Sequence, residues 1–244
     1  MARQARKRWR VATGRAAAAG IALALAVTCA AAQDKSGSPN PVGQPTWGKT
    51  DVTPSPVVAG ITLDARQMEV VQKVNAYFNA LENMKGQFLQ TTSDNKRMKG
   101  RLYMKKPGRV RFDYALPSKQ LVISDGQQIA IIDSDIGTDD RVMVDQTPFR
   151  VLLRKDVDLI RDARILEVQE ADDLIILALQ DKSKDASGRI RLFMATKPEI
   201  ELKEWVTTDA QGLDTRVEVS SIDRKDTVDA GMFKMPIPTI KSNQ

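Results

Sequence analysis

Leu121-Val122-Ile123-Ser124-Asp125-Gly126-Gln127-Gln128-Ile129-Ala130-Ile131-Ile132 sets two apolar runs on either side of an Asp-Gly pair. Asp-Gly supplies the positive backbone torsions of a tight hairpin turn, and β-branched residues suit the flanking runs. The stretch therefore reads as two antiparallel strands, near 120–124 and 127–133. Working outward, the same grammar repeats. Towards the N-terminus, strands are expected near 85–92, 97–105 and 109–115, with Pro107-Gly108 turning the chain just before Arg109. Towards the C-terminus, Gly137 sits in a turn and a strand follows near 140–145. Thr147-Pro148 then reads as the start of a short helix, Thr as its N-cap and Pro at its first position, with Phe149, Leu152 and Leu153 on the apolar side. Strands resume near 163–170, 173–180, 188–194, 199–207 and 213–222, separated by Asp185-Ala186-Ser187-Gly188 and Asp209-Ala210-Gln211-Gly212 turns.

One helix precedes all of them. Asp64 followed three residues later by Gln67 fits a capping box. Val70, Val71, Val74, Tyr77, Phe78 and Leu81 recur at helical spacing and form one stripe that must be buried. The fold class is mainly β with few helices. Regular short strands suit one antiparallel sheet that curls, not a set of crossover units. Such a sheet either packs solidly against its helix or leaves an apolar cavity between them, and periodicity does not choose.

The start of the chain has a different character. Six basic residues and no acidic one lie in residues 1–32, a short apolar run extends from Ala16 to Val27, and Ala30-Ala31-Ala32 follows. This is the pattern of a secretory signal peptide, and the apolar run is too short to span a bilayer. Without those six cations the chain has 31 Lys and Arg against 31 Asp and Glu, so the net charge of +6 belongs to the leader. A nucleic-acid partner loses its electrostatic support. Residues 33–60, with Pro39, Pro41, Pro45, Pro54 and Pro56 and no apolar period, read as a disordered linker, and 61–244 as the folded domain. The one cysteine, Cys29, falls in the leader. A lipid-modified Cys29 is the rival reading, but Ala26-Val27-Thr28 lacks the flanking residues of a lipidation signal.

Chemistry is bounded by absences. The chain has no histidine. That excludes Ser-His and Cys-His nucleophiles, imidazole acid–base work and His-based zinc sites. No carboxylate pair stands out for a hydrolase, so no enzyme activity and no cofactor are expected. Asp133, Asp135, Asp139 and Asp140 lack the spacing and closing Glu of a calcium loop and read as a solvated acidic turn.

Three sets of residues carry a family resemblance. The first is Gly86-Gln87-Phe88-Leu89-Gln90 with Lys99-Gly100-Arg101-Leu102-Tyr103-Met104-Lys105-Lys106-Pro107-Gly108-Arg109-Val110-Arg111-Phe112-Asp113-Tyr114. The second is Pro117 with Leu121 to Gly126. The third is Thr147-Pro148-Phe149 with Val228-Asp229-Ala230 and Phe233-Lys234-Met235-Pro236. In order and spacing these resemble the LolA family of periplasmic outer-membrane lipoprotein carriers, over roughly residues 65–238. The resemblance implies an open, curled antiparallel β-barrel with a helical lid, and a periplasmic monomer that shields acyl chains in an apolar cavity. It implies as partners acylated lipoproteins, an inner-membrane ATP-driven lipoprotein-releasing transporter and an outer-membrane acceptor. A carrier of another lipid, or an envelope interaction domain with a filled core, would share the pattern.

Strand alternation and helix facing then give a candidate wall: Val74 and Phe78 from the first helix, Phe88, Leu102, Met104, Val110, Phe112 and Tyr114 from strands, Phe149 and Leu152 from the short helix. Lys106, Arg109 and Arg111 are the candidate lid or entrance contacts, against the alternative of a solvated strand edge. Related carriers place an arginine where Lys106 stands. A lysine offers a compact ammonium instead of a planar fork.

Overall fold

A computed structural model describes residues 60–237. The expected signal peptide (1–32), Cys29 and nearly all of the expected linker (33–60) lie outside the described residues.

Helix α1 (Ala65–Ala80) opens on the capping box: Gln67 N–H donates to Asp64 Oδ1 (2.8 Å) and Asp64 N–H to Gln67 Oε1 (3.1 Å). Eleven strands follow: β1 (Asn83–Thr91), β2 (Arg97–Lys105), β3 (Arg109–Tyr114), β4 (Gln120–Asp125), β5 (Gln128–Asp133), β6 (Thr138–Met143), β7 (Ala163–Glu170), β8 (Leu174–Asp181), β9 (Arg189–Ala195), β10 (Glu201–Thr208) and β11 (Asp214–Asp223). Between β6 and β7 lie a 3₁₀ turn (Val144–Gln146) and the short helices α2 (Arg150–Leu153) and α3 (Leu159–Asp162).

All strands join one antiparallel sheet in the order β6-β5-β4-β3-β2-β1-β11-β10-β9-β8-β7. The chain starts at the centre, meanders out to β6, crosses through α2 and α3 to the far edge at β7, and meanders back until β11 pairs with β1. The sheet curls, because side chains from β3, β4 and β5 and from β9 and β10 line one common cavity. It does not close, since β6 and β7 are both edges. The fold is therefore an open barrel. Its lid is α1 with α2, whose apolar residues Val70, Val71, Val74, Tyr77, Phe78, Val151 and Leu152 are buried in the same core as the strands. Ile61 N–H donates to Ile165 O (2.8 Å), so the approach to α1 covers part of the β7 edge. Among the described residues no helix is long and apolar enough to cross a membrane.

Two expectations are corrected. Thr147 does not cap α2: its hydroxyl donates backwards to Val144 O (2.8 Å), closing the 3₁₀ turn, and Phe149 occupies the cap position without a side-chain bond. Strand β6 starts at Thr138, two residues earlier than expected. There the ladder with β5 and a bidentate Arg141–Asp139 pair (2.9 and 3.0 Å) hold residues whose acidic character suggests a turn.

Residues 228–236 strap the outside of the barrel. Lys105 on β2, Arg111 on β3 and Arg141 on β6 donate to the carbonyls of Val228 (3.0 Å), Met232 (2.9 Å) and Pro236 (2.8 Å). Phe233 is buried beneath the strap.

Gly100 on β2 faces Phe88 on β1 and Tyr114 on β3. A Cβ there would stand 2.1 Å from Asp113 O and 2.7 Å from the Phe88 ring. Gly100→Ala is expected to cost about 1–3 kcal/mol by overpacking, read as a lower urea midpoint at unchanged slope.

Candidate functional site

Alternation along a strand sends every second side chain inward. On β2 and β3 the inward set is Leu102, Met104, Val110 and Phe112, and all four line a cavity between sheet and lid. Met84, Val122, Ile129, Ile190, Leu192, Leu202 and Trp205 complete its strand wall, and Phe78, Phe149, Leu152 and Leu153 close it from the lid side. All fifteen residues are apolar or aromatic, and the free volume is about 70 Å³. Phe112 and Phe149 meet Trp205 edge-on at ring-centroid distances of 6.2 and 6.0 Å.

Seven of the ten expected wall residues are thus brought together: Phe78, Leu102, Met104, Val110, Phe112, Phe149 and Leu152. Val74 is fully buried, but in the packing beneath α1. Phe88 lies over Gly100, packs edge-on against Phe112 (5.1 Å) and Tyr114 (5.0 Å), and does not line the cavity. Tyr114 faces a second, smaller chamber. Sequence reasoning missed the contribution of β9 and β10. Trp205 of β10 sits centrally in the wall, 5% exposed. Its inward parity with Leu202 is broken by a bulge between Leu202 and Glu204, which hides the signal.

The three candidate lid contacts separate. Lys106 lies in the β2–β3 turn, beyond the last strand residue, and its ammonium donates to Phe78 O in the last turn of α1. Its backbone N–H donates to Glu82 O (2.9 Å). Arg109 and Arg111 do not reach the lid, a correction that follows from parity: they alternate with Val110 and Phe112 and so point outward. Arg109 Nε donates to Asp125 O (3.3 Å), and Arg111 holds Asp113 (2.8 Å) and the strap carbonyl of Met232.

Four further contacts seat the lid. Asn79 on α1 pairs with both backbone groups of Val157 (2.9 and 2.8 Å), and Asn75, one turn earlier, accepts from Leu159 N–H (3.0 Å). Gly108 N–H donates to Leu153 O at the end of α2 (2.9 Å). Arg150 on α2 grips Asp181 on β8 through two bonds of 2.7 Å, with the Asp181 carboxylate 1% exposed. Removing one partner would strand a buried charge.

Burial lowers the Lys106 amine from the ordinary 10.5 to about 8, with Asp156 pulling weakly upward. Below about pH 8 the folded and unfolded chains are both protonated at this amine and the folded state carries the full penalty. Between about 8 and 10.5 the folded chain has shed the proton that the unfolded chain keeps, so the contribution to stability rises with pH. A neutral amine still donates to Phe78 O. An NMR titration of the Lys106 side chain is expected to give a midpoint near 8. It should move back towards 10.5 in Asn79→Ala, which loosens the lid, and an unshifted midpoint in the parent would contradict the burial account.

Among the described residues no group of His, Cys, Asp and Glu could hold a metal ion. Of the four clustered aspartates, Asp133 accepts from Gln120 Nε2 (3.0 Å), Asp135 pairs with Lys119 (2.8 Å) and Asp139 with Arg141.

The profile of the family described as outer membrane lipoprotein carrier protein LolA matches residues 79–236. The outer-membrane lipoprotein carrier protein of Chromobacterium violaceum is 28% identical over 177 residues, covering 69% of this chain and 84% of that protein. Its counterpart from Halorhodospira halophila is 26% identical over 187 residues, covering 73% and 86%. Among solved structures, a LolA superfamily protein from Nitrosomonas europaea aligns with a TM-score of 0.38 at 9% identity, covering 68% of this chain and 97% of that one.

Proposed function

The chain belongs to the LolA family of outer-membrane lipoprotein carriers, and on that footing we propose that it shields lipoprotein acyl chains between the two bacterial membranes, without enzymatic chemistry. The observation that carries the reading is the apolar cavity lined jointly by both halves of the sheet and by the lid. Each buried CH₂ is worth roughly 0.8 kcal/mol, so an acylated protein does not cross water unaided. A carrier must cover the chains and later release them. An all-apolar wall does the first. A lid held by a few hydrogen bonds, from Lys106 and the two asparagines, supports the second.

In this reading Lys106 stands where related carriers use arginine and meets the same kind of partner, a lid carbonyl. Its single ammonium holds that carbonyl less rigidly than a fork of donors, and its charge depends on pH near neutrality. The expected signal peptide sends the chain to the periplasm. The partners are a lipoprotein-releasing transporter on the inner membrane and an acceptor on the outer one. The competing reading, an interaction domain with a filled core, finds less support, because the core contains the cavity it lacks.

Incubation of the purified protein with inner-membrane vesicles and ATP is expected to release a triacylated lipoprotein into the soluble fraction, seen as a one-to-one complex by native mass spectrometry. Recovery of phospholipid instead would change the cargo. A protein that stays empty and releases nothing would overturn the carrier reading.

A further inference from the structure

On four strands of the sheet, β1, β3, β10 and β11, polar side chains at inward-facing positions converge on one small chamber. The inward series on β1 runs Met84, Gly86, Phe88, Gln90, and on β3 Val110, Phe112, Tyr114. Trp205 on β10 is followed inward by Thr207, and Val217 on β11 is preceded inward by Thr215, directly across the ladder from Thr207. Four polar residues at core-facing positions break the pattern that makes the barrel apolar, and such breaks concentrate at functional sites. Two of the four are buried. Gln90 is 2% exposed and Thr207 4%. Tyr114 O–H donates to Gln90 Oε1 (2.6 Å), and Thr207 O–H to Thr215 O (3.3 Å).

These residues line the second chamber, which has about 30 Å³ of free volume and no charged side chain in its wall. Phe112, Val122, Phe149 and Trp205 line both chambers and form the partition between them. Rotation of those rings would join the two into one tunnel, apolar at the lid end and polar at the other. Gln90 lies seven residues along β1 from Asn83, which is level with Lys105. At roughly 3.3 Å per residue that is about 23 Å from the lid-side turn.

We propose that this chamber is a subsite for the ester or amide carbonyl that joins an acyl chain to its polar carrier group. The chain itself then runs past the Trp205 partition towards the lid. Hydroxyl and carboxamide groups match a neutral carbonyl. A phosphate or carboxylate would be desolvated there with no cation to meet it. The subsite rests on the acyl-carrier reading and gives it a direction: linkage at the Gln90 end, tails at the Lys106 end.

The test uses two probes that differ only in the carbonyl, monopalmitoylglycerol and its alkyl ether analogue, each displacing an apolar fluorophore from the full chain. The ester is expected to displace it at about fivefold lower concentration, the ratio one added hydrogen bond produces. Gln90→Leu and Tyr114→Phe should bring that ratio to about one. Thr207→Val, nearly isosteric, does the same by a smaller step if either of the others folds poorly by circular dichroism. Equal displacement by ester and ether in the parent protein, or a ratio untouched by all three variants, would overturn the subsite and leave the carrier reading standing. Failure of both probes to displace the fluorophore would overturn both readings.

Discussion

The lid end of the barrel depends on a backbone contact that admits no side chain. At Gly108, where φ is +70°, a Cβ would lie 2.7 Å from Gly126 Cα and 2.8 Å from Gly126 O. Two turns, Lys106-Pro107-Gly108 and Asp125-Gly126, therefore interlock. From that junction Gly108 N–H reaches Leu153 O of α2, Gly108 O accepts from the Ser124 hydroxyl (2.7 Å), and the preceding Lys106 reaches α1. Three elements distant in sequence are fixed relative to one another by one residue without a side chain. A larger residue would push the turn off β4 and shift Lys106 and the α2 contact together.

Much of this was legible in local sequence. Period-two alternation and turn residues located all eleven strands, and the same alternation marked Leu102, Met104, Val110 and Phe112 as one surface. Applied consistently, it also assigns Arg109 and Arg111 to the other face. Clustering in sequence drew those arginines towards the lid, while the pleat turns both outward, Arg111 to the strap and Arg109 to the Asp125 carbonyl. Lys106 escapes the rule because it belongs to the turn. Local pattern could not show that β9 and β10 face β3 to β5 across the cavity, since closure of a curled sheet is set by twist summed over strands. Nor could it see through the bulge that re-aims Trp205. Thr147 misled for a different reason: a hydroxyl that can cap forwards can equally bond backwards, and tertiary packing decided.

The division of polar and apolar contacts is uneven. Outside, Lys105, Arg111 and Arg141 each donate to a carbonyl of the strap, and the two arginines also pair with Asp113 and Asp139. Inside, the wall is held by dispersion and edge-on aromatic contacts, which tolerate small displacements better than directed hydrogen bonds do. The outer layer fixes the shape and the inner layer leaves room for adjustment.

The seam between β6 and β7 sets the mechanics. A closed barrel has its girth fixed by strand number and shear, because widening it breaks a column of backbone hydrogen bonds. Among the described residues no ladder joins the two edges, and the chain crosses between them through α2 and α3, so the circumference can dilate by bending the sheet while every ladder stays intact. Opening of that seam breaks no strand pairing. Its restoring force comes from side-chain packing and a handful of lid contacts, which makes the barrel compliant in girth and stiff along its strands.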